Sequence, residues 1–279
     1  EATTEGPVIE DNYQLSPGDE VIISVWGQLN LRYPLVVDEN GIITIPDEGG
    51  RVYINGLNLK ELKGQVASAL ARIYSKYINL DNPAQSTAFV DVKLGKVRKL
   101  MVYVVGEVNK PGIYSISAGA ATLVNLLNNA GGVKTTGSLR EIHIRRTNGV
   151  TDRVDLYDLL ISGQLDTKKI QINYGDYILV PLKGKSVAIQ GEVKRRGLYE
   201  IIGSEGVQEL VKFAGGLQPN AFLKRIQLRR YDLNEGEKIL DLDGEKILAE
   251  PAANFPLQDA DVLAISANVI VRRPVVEIA

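Results

Sequence analysis

The sequence predicts an α+β protein in which small sheets are each covered by a short helix. Three observations lead to this fold class. Strand-like segments with alternating apolar residues recur along the chain, single amphipathic helices separate them, and the last two thirds of the chain contain a duplication. The length of 279 residues and the hydrophobic share of 44% suit two or three folded domains.

Composition argues against several function classes. The 34 acidic residues nearly balance the 32 basic ones, and a net charge of −2 argues against general nucleic-acid binding. The sequence has no cysteine, which excludes disulfides, thiolate catalysis and cysteine-ligated zinc. A single histidine, His143, argues against a Ser-His-Asp triad and against a multi-histidine metal site. We therefore expect no catalytic residue, no metal and no cofactor.

The first hundred residues begin with a flexible tail, residues 1–12, and continue into strands. Residues 13–25 read as a turn that leads into an apolar strand. Residues 36–46 are predicted to form a hairpin closed by Asn40 and Gly41, because Asn-Gly is favoured in two-residue hairpin loops.

A helix follows from Asn58, because Glu61 stands three residues later and completes a capping box. Its apolar stripe has helical spacing and consists of Leu59, Leu62, Val66, Leu70 and Ile73. Residues 75–88 are a polar connection, and residues 89–92 are predicted to form another strand.

The duplication consists of four blocks that recur in the same order 84 or 85 residues later. Gly106 and Gly191, for example, occupy equivalent places in the Gly-Glu-Val motif of the first block. The paired blocks are 102–114 with 187–199, 126–133 with 210–217, 142–146 with 226–230, and 174–180 with 259–265. Four ordered matches of this kind indicate two copies of one domain.

Each copy reads as strand, strand, helix, strand and strand, an order that suits a β-grasp domain. Glycine and aspartate at the turns fit structural roles, since Asp accepts backbone hydrogen bonds there, and we do not interpret these residues as catalytic acids. The predicted structural turn and motif residues are Pro17, Gly18, Asp19, Gly106, Pro111, Gly112, Gly175, Asp176, Gly191, Gly197 and Asp261.

With these motifs in place, the chain resembles the outer-membrane polysaccharide export, or Wza-like, family. Residues 13–92 resemble its polysaccharide export domain through Tyr13-x-Leu-x-Pro-Gly-Asp-x-Val and Ile54-Asn-Gly. The two repeats resemble soluble-ligand-binding β-grasp (SLBB) domains through Val-x-Gly-x-Val-x-x-Pro-Gly-x-Tyr and the Ala-Gly-Gly helix end.

The resemblance implies an N-terminal α/β export domain at 13–100 and SLBB domains at 101–185 and 186–266. The tail 1–12 and a C-terminal extended segment, 267–279, flank them. Pro274 and the β-branched residues around it argue against a helix in that last segment.

The resemblance also implies a function and its partners. Members form rings of identical subunits in the periplasm, associated with the outer membrane, and the ring encloses a passage for capsule or exopolysaccharide. An inner-membrane polysaccharide co-polymerase would be the partner, polysaccharide the cargo, and no catalytic step is implied. The membrane would be reached through segments not seen in this chain, since no run of ~20 apolar residues occurs.

The sequence departs from the family pattern in several places. The lipid-modified cysteine and C-terminal amphipathic helix common in relatives are missing, and the chain has no initiating Met, so we expect that it is trimmed. In the second repeat Arg196 replaces the expected proline, and Ala260 replaces the glycine before Asp261.

Arginine pairs occupy equivalent positions in the two repeats. We expect one arginine of each pair to face a subunit boundary or an acidic glycan. The candidates are Arg145, Arg146, Arg229 and Arg230.

Two further segments have structural interpretations. Residues 236–240 and 244–248 share the sequence Gly-Glu-Lys-Ile-Leu, which suggests an exposed acidic hairpin rather than a calcium loop, because the remaining EF-hand ligands are absent. His143 alternates with Ile142 and Ile144 on a strand, so we expect it to be solvated.

Three functions remain in competition at this point. The first is a ring-forming export subunit, and the second is a monomeric periplasmic module whose β-grasp face binds a glycan or small soluble ligand. The third, a glycan-modifying hydrolase, lacks a convincing acid/base pair. Rings in solution, tight oligosaccharide binding by a monomer, or cleavage of polymer would separate them.

Overall fold

The protein is described by a computed structural model that covers residues 13–163, 171–232 and 234–268. The tail 1–12 and nearly all of the predicted extended segment 267–279 lie outside the described residues.

The described residues belong to two compact units. The first comprises those up to Val102 together with Ile113–Leu126 and Gln171–Asp176. The second comprises Tyr103–Gly112 and the described residues within 127–170 and 177–279.

The N-terminal region is built on a three-stranded antiparallel sheet. Its central strand β1 (Glu20–Gly27) pairs with β2 (Leu31–Val36) on one side and β5 (Ala88–Leu94) on the other. Burial alternates along β1 because successive side chains point to opposite faces, and the inward ones are Val21, Ile23 and Val25. The predicted strands at 13–25 and 89–92 are both present.

Helix α1 (Leu59–Ile73) packs into the same core and begins at the predicted cap. The Asn58 side chain accepts a hydrogen bond from the Glu61 backbone N–H at 2.9 Å, and the Glu61 carboxylate accepts one from the Asn58 N–H at 3.0 Å. This reciprocal capping box confirms the predicted helix start. The buried part of its stripe is Leu62, Val66 and Leu70.

The hairpin predicted over 36–46 is wrong. The Asn40-Gly41 turn forms, but it connects two sheets: β2 pairs with β1, whereas β3 (Ile42–Ile45) pairs with β4 (Gly50–Tyr53). Asp38 stabilises the turn by accepting hydrogen bonds from the backbone N–H groups of Asn40 and Ile42 at 2.9 and 2.8 Å. A favourable turn is a local property, and it does not determine which strands pair.

The first repeat forms a five-stranded mixed sheet and one α-helix. Its elements are β6 (Lys99–Gly106), β7 (Gly112–Ser117), α2 (Leu123–Asn129), β8 (Ile142–Arg145), β9 (Thr151–Val154) and β10 (Tyr177–Val180). The strand order in the sheet is β7-β6-β10-β8-β9. Strands β6 and β10 run parallel, and β10 and β8 run antiparallel.

The second repeat contains β11 (Ser186–Gly191), β12 (Gly197–Glu200), α3 (Val207–Phe213), β13 (Ile226–Asp232), β14 (Gly236–Leu242), α4 (Gly244–Ala249) and β15 (Val262–Ile265). Its sheet has the equivalent strand order, β12-β11-β15-β13-β14, with β11 and β15 parallel. The predicted α+β class and the pair of β-grasp domains are confirmed. Each repeat contains one more strand than predicted, β9 or β14.

The two Gly-Glu-Lys-Ile-Leu segments adopt different structures, so the predicted hairpin between them is wrong. Residues 236–240 lie in β14, which pairs back with β13, whereas residues 244–248 form most of α4. Asp243 decides the difference locally, because its side chain caps α4 by accepting a hydrogen bond from the Lys246 N–H at 3.1 Å.

Within the residues that the structure describes, no helix has the length and apolar character needed to cross a membrane.

Two equivalent glycines are explained by close strand contact. A Cβ at Gly106 would lie 2.1 Å from the Val180 carbonyl oxygen, and one at Gly191 would lie 2.0 Å from that of Ile265. Both residues also have a positive φ of 87°. The parallel pairing of β6 with β10 and of β11 with β15 therefore requires glycine at these positions.

We predict that Gly191→Ala lowers the free energy of unfolding by at least about 2 kcal/mol, through backbone strain and the carbonyl clash. The matched control is Gly197→Ala in the same hairpin, where the nearest neighbour of a new Cβ is 3.8 Å away. That control should change stability by less than about 0.5 kcal/mol. Equal effects in urea unfolding would contradict the explanation.

Candidate functional site

Three aspartates lie in equivalent turns, and all three are buried: Asp19, Asp176 and Asp261. Each carboxylate accepts a hydrogen bond from the backbone N–H of the residue three positions earlier, at 2.8 to 2.9 Å. The shared geometry shows one turn design used once in the N-terminal region and once in each repeat.

Asp19 is enclosed by cationic and hydroxyl donors. It accepts hydrogen bonds from Arg98 Nη1 at 2.8 Å, from the Arg98 backbone N–H at 3.0 Å and from the Tyr13 hydroxyl at 2.9 Å. Burial, together with the hydrogen bond to Asp19, raises the pKa of Tyr13. Both carboxylate oxygens are engaged in these bonds, as expected for a structural carboxylate.

Asp261 binds one of the predicted arginines. Arg230 donates to it through Nε at 2.9 Å and through Nη2 at 2.7 Å, which is a bidentate pair. The same guanidinium donates to the Pro256 carbonyl and lies 5.4 Å from the Phe255 ring centroid. Arg230 is thus held inside its own repeat.

The four predicted arginines divide by position. Arg146, like Arg230, is held internally, with Nε 2.8 Å from Asp152. Arg145 is exposed, and Arg229 is exposed with a loose partner, Glu237, at 3.7 Å. In each pair the first arginine therefore points outward and the second bonds within its repeat.

The remaining predicted motif residues lie at turns and strand starts. Gly18 and Gly175 precede the buried aspartates and have positive φ values of 92° and 78°. Pro111 precedes β7, which begins at Gly112, and Gly197 begins β12. Nothing in the structure explains why glycine stands at 112 and 197.

Metal and acid/base chemistry find little support in the described ranges. No group of three or more His, Cys, Asp or Glu among those residues is placed to hold a metal ion. Asp241 instead pairs with Arg225 at 2.9 Å, a hydrogen bond that lowers the pKa of Asp241. His143 is only partly exposed, and its Nε2 is shielded with no hydrogen-bond partner among the described residues, so the prediction of a solvated histidine is wrong.

A buried polar cluster, which the sequence did not reveal, surrounds Arg140. Its side chain is 5% exposed. Nε and Nη2 donate to Asp155 in the first repeat at 3.0 and 2.9 Å. Nη1 and Nη2 donate to Glu205 in the second repeat at 2.5 and 2.8 Å. We call these three residues the Arg140 clasp.

Aromatic rings enclose the Arg140 guanidinium. Its Cζ lies 4.7 Å from the Tyr157 centroid and 4.8 Å from the Phe213 centroid, and the two rings meet edge to face. Burial alone lowers the pKa of Arg140, but hydrogen bonds to Glu205 and Asp155 outweigh it and raise the pKa overall. The group is a permanent cation buried against two aromatic rings.

Glu200 adds a second set of bonds between the repeats. Its buried carboxylate accepts hydrogen bonds from the Leu139 N–H at 3.1 Å and the Gly184 N–H at 3.3 Å. Its backbone N–H donates to the Tyr157 hydroxyl at 2.9 Å, and its carbonyl accepts from Arg140 Nη1 at 3.2 Å. The two repeats are therefore joined by buried, directional bonds.

The sequence offers only a faint signal for Arg140. Its counterpart 84 residues later is Lys224, also basic, but Lys224 is exposed. The partners Glu200 and Glu205 lie 60 or more residues further along the chain, so no local sequence pattern indicates that they bind Arg140.

Comparisons with known proteins agree with this architecture. The family described as polysaccharide biosynthesis/export protein matches residues 8–83. SLBB domain families match residues 100–180 and 186–241.

Two relatives illustrate the similarity over longer stretches. The chain is 33% identical over 183 residues to the polysialic acid transport protein KpsD of Escherichia coli, a match that covers 65% of this chain and 30% of that protein. It is 28% identical over 288 residues to the EPS I polysaccharide export outer membrane protein EpsA of Ralstonia solanacearum, covering 93% of this chain and 73% of that one. The chain thus spans about a third of the length of KpsD.

We predict that Arg140→Ala lowers the free energy of unfolding by about 3–5 kcal/mol, because it leaves Asp155 and Glu205 without their buried cation. Arg153→Ala is the matched control, since Arg153 pairs with Glu141 at 3.3 Å on the surface. That control should cost less than about 1 kcal/mol. A cost of the same size for both variants in chemical unfolding would contradict the clasp.

We predict that Ala260→Gly stabilises the protein by about 1 kcal/mol, since Ala260 has a φ of 64° where the equivalent turns carry glycine. The reverse change in the first repeat, Gly175→Ala, should destabilise by a similar amount. Thermal unfolding of both variants checks the sign, and destabilisation by Ala260→Gly would refute the turn assignment.

Proposed function

Because the chain belongs to the outer-membrane polysaccharide export family, we propose that it is a periplasmic subunit of a polysaccharide export apparatus. In this proposal identical copies assemble into a ring at the outer membrane. The ring encloses a passage for capsule or exopolysaccharide, and an inner-membrane polysaccharide co-polymerase delivers the polymer.

The observation that carries the proposal is the order of domains along the chain. A match to a polysaccharide biosynthesis/export domain precedes two SLBB matches, and a relative named for polysaccharide export aligns over 93% of this chain. The proposed boundaries of the three domains are 13–100, 101–185 and 186–266.

Buried charged side chains form structural ion pairs, which supports the proposal that the chain is a structural protein. Asp19 and Asp261 each form an ion pair with an arginine of their own region of the chain, and Arg140 joins the two repeats. A conduit subunit requires such fixed geometry more than it requires reactive groups, because its passage is shaped by how rigid domains meet.

Arg145 and Arg229 are the arginines that support contacts with other molecules. They are exposed at equivalent strand positions in the two repeats, whereas Arg146 and Arg230 are engaged internally. We propose that Arg145 and Arg229 face a neighbouring subunit or an acidic glycan.

We predict that the double reversal Arg145→Glu with Arg229→Glu reduces both ring assembly and polymer export. The matched control, Lys194→Glu with Lys212→Glu, removes the same charge from exposed positions in the second repeat, Lys212 being on α3. Assembly is measured by mass in detergent, and export by surface polysaccharide in cells producing the full-length protein.

Unchanged assembly and export in the double reversal would contradict the role of the two arginines. A strictly monomeric full-length protein that binds oligosaccharide would contradict the ring and favour a periplasmic glycan-binding module.

A further inference from the structure

A groove of about 730 Å³ lies between strand β4 and one face of α1. Its volume is within the range of ~300–1,000 Å³ found for ligand sites. The polar and aromatic side chains that line it are Glu48, Arg51, Tyr53, Gln65, Ser68 and Arg72.

Three small residues lie on the helix side of the groove, beside Gln65, Arg72 and Ile73. Gly64, Ser68 and Ala69 line it, next to the stripe that packs into the core. A Cβ at Gly64 would meet nothing within 4 Å, so core packing does not require glycine there. Glycine inside a helix is unfavourable relative to alanine, and here its consequence is an open trough.

The groove contains two arginines that have few acidic partners in the part of the chain that the structure describes. No ion-pair or hydrogen-bond partner of Arg72 is found among the described residues, and the residue is exposed. Arg51 has only Asp38 at 3.9 Å, and both side chains are largely exposed, so this pair is weak. With Glu48 as the single carboxylate in the lining, the groove is positive.

An aromatic ring and two uncharged polar groups accompany these charges. Tyr53 is 59% exposed, which leaves its ring available for contact. Gln65 and Ser68 lie on consecutive turns of α1 and supply amide and hydroxyl groups. Tyrosine combines an apolar ring with a polar tip, the combination that suits a sugar with apolar faces and hydroxyl edges.

Backbone strain marks the rim of the groove. The turn from Pro46 to Gly49 closes with a 3.0 Å hydrogen bond and has positive φ at Asp47 (55°) and Glu48 (66°). Such a turn favours Asn or Asp followed by glycine, so Glu48 stands where glycine is preferred. Asp47 is anchored by the Tyr33 hydroxyl at 2.5 Å, and strained positions of this kind cluster at ligand sites.

We propose that this groove binds a segment of a polysaccharide that carries carboxylate groups. Arg72 and Arg51 donate to the carboxylates, Tyr53 packs against a sugar ring, and Gln65, Ser68 and Glu48 bond its hydroxyls. The inference rests on the proposed export function and assigns a polymer contact to the N-terminal region.

The test uses the full chain, labelled with ¹⁵N, and two probes of equal length: a hyaluronan octasaccharide, which carries carboxylates, and neutral maltooctaose. We expect hyaluronan to shift the backbone amide signals of Gly64, Gln65 and Ser68, with weaker binding of maltooctaose. Arg72→Glu should weaken hyaluronan binding by about tenfold or more. Lys60→Glu, the same reversal at an exposed position of the same helix, should leave affinity within about twofold.

Two further variants keep the test informative if Arg72→Glu disturbs the fold. Tyr53→Ala removes the ring from an exposed position, and Gly64→Ala adds a methyl group to the floor of the trough while favouring the helix. Both should weaken hyaluronan binding, and Gly64→Ala should do so without lowering the melting temperature.

Equal effects of Arg72→Glu and Lys60→Glu, equal affinity for the two probes, or shifts confined to other regions would overturn the groove assignment. Those outcomes would leave the export proposal standing if cells still required the chain for export. Conversely, hyaluronan binding at the groove of a protein that cells do not need for export would retain the site and reject the export role.

Discussion

The buried guanidinium of Arg140 is the interaction on which the arrangement of the two repeats depends. Its donors divide between Asp155 in the first repeat and Glu205 in the second, and the Tyr157 and Phe213 rings enclose the guanidinium. Displacing the carboxylates is costly, because it leaves the buried guanidinium without a partner. The bonds of Glu200 act in the same direction. The clasp thus joins two similar small domains through buried, directional bonds.

The duplication preserved the fold and changed the contacts. Both repeats keep the sheet order, the close glycine approach and the buried turn aspartate. The position of Arg140, however, is occupied by exposed Lys224 in the second copy. A residue that joins the copies is needed only once, whereas the turn aspartate serves each copy separately. This difference separates residues that maintain the fold of each repeat from residues that join the two repeats.

The sequence predicts well those features that depend on neighbouring residues. The Asn58 cap, the alternation along β1 and the repeated hairpins follow from local chemistry, and the order of motifs leads to the family. The hairpin predicted at Asn40-Gly41 fails because strand pairing depends on distant partners. The Gly-Glu-Lys-Ile-Leu segments fail as a hairpin for the same reason: one copy pairs with β13, and the other begins after an N-cap. Arg140 and the groove are assembled from distant segments, so local patterns do not reveal them.

The claim that Arg140 joins the two repeats can be tested directly by distance measurement between spin labels. The chain has no cysteine, so Thr151→Cys and Glu245→Cys, both exposed and in different repeats, would be the only labelled sites. Double electron–electron resonance should give a single narrow distance distribution, and Arg140→Ala should broaden it. A broad distribution in the protein with Arg140 intact would contradict the account.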